Sequence, residues 1–142
     1  MIRRARQEDS AEVLRLWLAL FPDDTTASQS IQALLDGTTR AALLVAEREG
    51  GLGGFLEVGT RPYAEGCETS PVAYIEAWYV DEDIRKQGIG RALFKAAEDW
   101  GREQQLIEIA SDALIENEIS IAAHKALGYQ EVERIVCFRR DL

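Results

Sequence analysis

Gly88 and Gly90 stand two residues apart in VDEDIRKQGIGRALF, the stretch from Val80 to Phe94. Upstream lies the apolar run VAYIEAWYV, residues 72–80. Downstream, Leu93, Ala96, Ala97 and Trp100 recur at helical spacing. The pattern predicts a strand that enters a glycine turn, and a turn that opens a helix. Such a turn suits an anion, because free backbone N–H groups and the positive end of the helix converge on one spot. Arg85 and Arg91 lie at the same turn and could add charge to a phosphate. Each could equally be a solvated surface charge. The run is not Gly-x-x-x-x-Gly-Lys-Ser/Thr, which excludes a Walker loop. Nor is it a dinucleotide fingerprint, since the third glycine is replaced by Leu93 and the motif lies past mid-chain. A strand-to-helix turn that merely needs small residues is the plain alternative.

The second chemical signal is one carboxylate. Glu76 is the only charge in VAYIEAWYV. Burying an unpaired carboxylate is costly, so a lone glutamate in a central strand calls for a partner: a bound cation, a protein arginine or water.

The elements that must position these residues follow from periodicity and breakers. IRRAR reads as a short first strand. EDSAEVLRLWLALF reads as a helix capped near Asp9 or Ser10, with Val13, Leu16, Trp17 and Leu20 on one face, and PDD at 22–24 breaks it. SQSIQALLDG is a second, short helix ending at Gly37. AALLVAERE and GGFLEVGTR form strands around Gly50 and Gly51, a hairpin, and residues 62–71 form a loop. VAYIEAWYV, apolar on both faces, is expected at the centre of the sheet. LIEIAS is a short strand, NEISIAAHKALG a helix stopped by Gly128, and YQEVERIVCFRR a last strand. The order is β-α-α-β-β-β-α-β-α-β, an α/β fold with a mixed sheet, expected to form one domain over residues 1–142.

Composition narrows the function. The 142 residues are 46% hydrophobic and 29% charged, ordinary for a soluble chain. No run approaches the length of a membrane span, and the N-terminus has no apolar signal core, so the cytoplasm is the expected location. A net charge of −9 argues against nucleic acid or an anionic membrane as partner and favours a cationic substrate. Cys67 and Cys137 lack metal spacing and read as free thiols; one histidine, His124, cannot build a histidine-rich metal site.

The element order, with Arg85-x-x-Gly88-x-Gly90 between the central strand and the main helix, resembles the GNAT superfamily of acetyl-CoA-dependent N-acetyltransferases over essentially the whole chain. NEISIAAHKALGYQEVER looks like the same superfamily's downstream segment, an asparagine opening a helix that closes on a Leu-Gly-aromatic turn. YAEGCETSPVAYIEAWYV and ASDALIENEISIAAHKALGYQEVERIVCFRR are similar more narrowly to aminoglycoside 6′-N-acetyltransferases, through the Glu-Gly-Cys-x-x-Ser-Pro loop, the glutamate inside the strand and the Ala-Ser-Asp strand end.

The resemblance implies acetyl-CoA as cosubstrate, held at its pyrophosphate by the turn of Arg85, Gln87, Gly88, Ile89, Gly90 and Arg91. It also implies that the backbone of Trp78, Tyr79 and Val80 holds the pantetheine arm like an added strand. Asn117 matches a coenzyme-contacting asparagine, and its other role is a helix N-cap. Acetyl transfer needs an amine freed of its extra proton and a polarised carbonyl, with no serine or cysteine nucleophile. Glu76 is then the candidate base or amine-orienting group, directly or through water. Asp112, Tyr63 and Glu133 correspond to residues facing the antibiotic, with Phe21 or Asp23 near the site. Asp112 also suits a loop aspartate bonding its own backbone, and Glu133 a solvated strand face. Where many family members place a tyrosine that protonates the leaving thiolate, this chain has His124, a proton donor or a packed helix residue. The resemblance suggests a homodimer, with Val132, Ile135, Val136 and Phe138 in a pairing last strand. Two other readings stay open: acetylation of another amine, such as a polyamine or a protein N-terminus, and an acyl-CoA sensor without turnover. A sensor needs no base such as Glu76.

Overall fold

The computed structural model describes residues 1–142 as one five-stranded sheet with helices on both faces. In chain order the elements are β1 (Ile2–Arg4), α1 (Ser10–Leu20), α2 (Ala27–Leu35), β2 (Ala42–Arg48), β3 (Gly51–Arg61), β4 (Val72–Val80), α3 (Ile89–Glu103), β5 (Ile109–Ser111) and α4 (Glu118–Ala126). The strands lie in sequence order. The pairs from β1 to β4 are antiparallel, whereas β5 joins β4 in parallel after the α3 crossover. The sheet is therefore mixed, as the alternation of strand and helix patterns requires. β4 is an interior strand, but the middle position belongs to β3.

Two apolar layers hold the sheet. On one face, Leu93, Phe94, Ala97 and Trp100 of α3 pack on Leu44, Leu56, Val58, Ala73 and Ile75. On the other, Val13, Leu16 and Trp17 of α1 and Ile31 of α2 cover Leu43, Val45, Phe55 and Ala77. Alternate residues of β2, β3 and β4 point to opposite layers, so these strands read as continuous apolar runs. The buried Asp9 locks β1 to the start of α1: Arg3 donates to it at 2.7 and 3.0 Å, and the Arg6 N–H at 2.7 Å. Asp9 is the residue before α1, as its sequence suggests, yet its carboxylate serves Arg3 and Arg6 rather than capping the helix.

One predicted element does not form. Residues 129–140, read above as a last strand, pair with no strand of the chain, and Val132, Ile135, Val136 and Phe138 are exposed. Tyr129 still anchors the start of the segment through its hydroxyl to Glu98 at 3.0 Å. Strand propensity alone builds no strand: a ladder needs a neighbouring edge to receive its N–H and C=O groups.

Candidate active site

The site grows from a fork in the sheet. β5 pairs with β4 only at Ala73, Tyr74 and Ile75, opposite Ile109, Ala110 and Ser111. Beyond Ser111 the strands part, so Glu76 and Asp112 are the first residues past the fork. A β-bulge sits at the same place. Glu57 of β3 faces Ala77 and Val58 faces Ile75, so Glu76 is the extra residue on β4. A bulge bends a strand and re-aims a side chain. Here it turns Glu76 out of the core, and because β5 ends at Ser111 the outer edge of residues 77–80 has no partner strand.

That open edge runs into the glycine turn. Four residues of strand span about 13 Å. Gly88 precedes α3 at φ +84°, a left-handed conformation that disfavours a side chain even though a Cβ there would meet nothing within 4 Å. At Gly90 a Cβ would come within 3.2 Å of the Trp78 ring. The first bond of the helix runs from Ala92 N–H to Gly88 C=O at 3.0 Å, so the N–H groups of Ile89, Gly90 and Arg91 lie ahead of it, at the positive end of α3. This cradle suits the phosphates of a coenzyme. The turn's side chains are partly committed. Arg85 donates to the Val80 carbonyl at 2.8 Å and lies 5.4 Å from the Tyr79 ring centre, while Arg91 reaches the Ala126 carbonyl at 3.2 Å. Gln87 is exposed beside them. Trp78 sends its ring into the α3 layer, 5.0 Å edge-on to Phe94, which leaves only its backbone for a ligand.

On the α1 and α2 side of the fork lies an acidic cleft. One hollow, of about 590 Å³, is lined by Trp17, Leu20, Phe21, Pro22, Asp23, Asp24, Glu57, Glu76 and Ala77. A second, of about 330 Å³, lies toward α2 and shares Glu57 and Glu76. Phe21 and Asp23 thus line the cleft, as does Asp24, whose carboxylate accepts the Trp17 indole N–H at 2.8 Å. Glu76 is exposed, not buried, and it has a protein partner: Arg61 grips both its oxygens, at 2.8 and 2.7 Å. The Arg61 guanidinium also stacks 3.6 Å above the ring centre of Tyr74. Tyr74 in turn donates its hydroxyl to Asp112. Burial and the Asp112 bond hold the Tyr74 phenol well above the usual tyrosine range, so it remains a donor. Arg61 and Tyr74 escaped the sequence reading; their roles follow from register and the bulge. Tyr63 is exposed in the loop after β3.

Glu57 also escaped it. It sits in the apolar run GGFLEVG of β3 and is half-buried in the wall shared by the two hollows. Burial first, and the charge of Glu76 second, push its carboxyl up to about 7.

His124 is a packed residue in this structure. One ring nitrogen donates to the Ser120 carbonyl at 2.7 Å, the other lies 2.8 Å from the Ser111 hydroxyl, and the ring sits edge-on to Phe94 and Tyr129. Asn117 caps α4, its side chain accepting the Ser120 N–H at 3.1 Å. Glu133 is not brought to the cleft: it lies in the exposed segment that forms no strand.

The chain matches the Acetyltransferase (GNAT) family model over residues 5–129. It is 40% identical, over 100% of its length and 97% of the relative's, to aminoglycoside N(6')-acetyltransferase type 1 of Klebsiella aerogenes. It is 38% identical to the protein of the same name from Stenotrophomonas maltophilia, covering 99% and 93% of the two chains. Among solved structures, AAC(6')-Iy in complex with the bisubstrate analog CoA-S-monomethyl-acetylneamine superimposes with a TM-score of 0.94 at 30% identity, covering 100% of this chain and 98% of that one. AAC(6')-Ih from Acinetobacter baumannii gives 0.93 at 32% identity, with 100% and 98% covered.

Proposed function

The chain belongs to the acetyltransferase (GNAT) family, and on that premise we propose that it transfers the acetyl group of acetyl-CoA to the 6′-amino group of aminoglycosides, conferring resistance to them. The observation that carries this reading is the fork. It puts the carboxylates of Glu57, Glu76 and Asp112 beside an open strand edge that leads to a phosphate-binding turn. Aminoglycosides are polycations, and an acidic cleft with Asp23 on its rim draws and orients them. The relatives named above add the substrate class.

Each part has a task. Gly88, Gly90 and the free N–H groups of 89–91 hold the pyrophosphate, with Arg85, Gln87 and Arg91 around them. The open edge of Trp78, Tyr79 and Val80 aligns the pantetheine arm, and its N–H groups polarise the thioester carbonyl. Glu76, which exchanges Arg61 for the incoming cation, and Asp112, bonded to Tyr74, fix the ammonium groups of the acceptor. Tyr63 and Phe21 lie against its sugar rings. The amine then attacks the thioester directly, an alkylammonium of pKa about 10 having first lost a proton.

The active form is a homodimer in the cytoplasm. Residues 129–140 carry strand-forming side chains but pair with no strand of their own chain, and the second copy supplies the partner. Sedimentation of the full chain checks this: a dimer is expected, and a monomer at working concentration contradicts it.

The activity is tested by thiol release from acetyl-CoA with kanamycin, a congener bearing a 6′-hydroxyl, spermidine, or a peptide with a free N-terminus. Turnover with kanamycin alone is expected. Turnover with spermidine or the peptide instead moves the chain to another amine, and no turnover with any acceptor leaves a coenzyme-binding sensor.

A further inference from the structure

We propose that Glu57, rather than Glu76, takes the proton that the acceptor ammonium must lose, an inference that rests on the aminoglycoside reading above. Its position comes first. Glu57 lies mid-strand in β3, opposite Ala77, whose methyl group leaves the carboxylate open to the cleft. It lines both hollows together with Glu76, so an amine held at Glu76 is within the same enclosure. On the same face of β3, two residues earlier, stands the fully buried Phe55, so a carboxylate here is costly to the fold and is not explained by packing.

The surrounding charges separate the two glutamates. Glu76 is gripped at both oxygens by Arg61. Both oxygens that could accept a proton are already engaged by a guanidinium, so this carboxylate serves as a cation-binding group. Glu57 has no such partner. The groups facing it are Glu76 from β4 with its Arg61, and Asp23 and Asp24 from the turn after α1. Arg40 lines the α2 side, but its guanidinium is bonded to the carbonyl and side chain of Gln104. Burial first, and the charge of Glu76 second, push the Glu57 carboxyl up to about 7, where a base shuttles protons most effectively at neutral pH.

The step balances without a further reagent. The ammonium N–H proton passes to a Glu57 oxygen, directly or through one water. The freed lone pair forms the N–C bond to the thioester carbonyl carbon, the C–S bond breaks and its electron pair leaves on sulfur. The remaining extra proton on nitrogen ends on that sulfur, and Glu57 returns its own to solvent.

The test is the pH–rate profile of thiol release by the full-length protein with kanamycin at saturating acetyl-CoA. The wild-type rate should rise along a limb near pH 7, reporting Glu57. Glu57→Gln should lose that limb and about 10²- to 10⁴-fold in rate at neutral pH, recovering toward alkaline pH where free amine is present. Glu57→Asp, which keeps an acid on a shorter arm, should retain the limb at a reduced rate. Glu76→Gln should keep the limb, moved toward lower pH because the neighbouring charge is gone, and raise the acceptor KM. Melting curves and coenzyme A titration establish that each variant is folded. Wild-type activity with an unchanged limb and rate in Glu57→Gln overturns the proton-acceptor role alone, as does loss of the limb in Glu76→Gln only. If Glu57→Gln does not fold, a Glu57→Asp profile identical to wild type overturns it. Wild-type protein that binds coenzyme A but does not acetylate kanamycin fails the substrate reading, and the role of Glu57 falls with it.

Discussion

The two ends of the fork are built of different material. The glycine turn at residues 85–91 is made of backbone: a left-handed Gly88, a close-packed Gly90 and N–H groups ahead of the first helical bond. The acceptor cleft is made of side chains from α1, β3, β4 and the residue after β5, joined as Arg61–Glu76 and Tyr74–Asp112. Backbone chemistry is encoded locally, in a few adjacent residues. Side-chain chemistry is encoded by register, because Glu57, Arg61, Glu76 and Asp112 meet only once the strands pair and β4 bulges. The turn should therefore be brittle to one substitution, and the cleft should respond by degrees.

The largest effect is expected at the turn. Gly88→Val forces a β-branched residue toward φ +84°, which the chain relieves by leaving the left-handed region and turning the N–H groups away. Loss of even one or two charge-assisted bonds weakens coenzyme A binding by about a hundredfold or more, as calorimetric titration would measure. The fold should survive, since no atom lies within 4 Å of the added Cβ. Unchanged affinity would reduce the turn to a structural role.

In the cleft, Asp112→Asn removes one negative partner and no phosphate contact. The acceptor KM should rise about 10- to 150-fold while the acetyl-CoA KM holds, the scale of one charge-assisted bond. A larger change in the acetyl-CoA KM would move Asp112 out of the acceptor site. Arg61→Gln should act in the opposite sense and more weakly. The Arg61–Glu76 pair is partly exposed, with side-chain exposures of 41% and 32%, so it is worth about 1 kcal/mol or less. Freeing Glu76 from its competing cation should lower the acceptor KM by about fivefold at most. A sharp rise would mean that Arg61 itself shapes the site.

The smallest effect is on stability. Glu57 is raised in the folded state from 4.5 to about 7. Between those values the folded protein keeps a proton that the unfolded chain has released. The contribution is thus fully present below pH 4.5 and is lost as pH rises through about 7. Glu57→Gln has no such dependence, so its Tm should exceed the wild-type value by a few degrees above neutrality, on the order set by a kcal/mol or so. The gap should vanish in acid. A gap that widens in acid would contradict the burial of Glu57 as a charge.

The same contrast explains what could be read in advance. β4 falls at Val72–Val80 as its apolar run predicts, and the Gly88-x-Gly90 turn opens α3, because both are local patterns. Asn117 caps its helix for the same reason. Glu76 was visible as a lone charge, but its exposure and its bond to Arg61 depend on a bulge that no periodicity reveals. Glu57 stands in a similar apolar run, but its strand GGFLEVGTR also holds Arg61, so it is not a lone charge. YQEVERIVCFRR shows the converse limit: its side chains suit a strand, yet whether a strand forms depends on an edge the segment does not contain.

In the proposed reaction the cleft and the turn work together, transferring one acetyl group to a 6′-amine. The most direct measurement is to incubate the protein with acetyl-CoA and kanamycin, count thiol released per product by mass spectrometry, and locate the new amide by NMR. One acetyl group on the 6′ nitrogen per thiol released is the predicted result. Thiol release without acetylated kanamycin, or an amide on a different nitrogen, would contradict it.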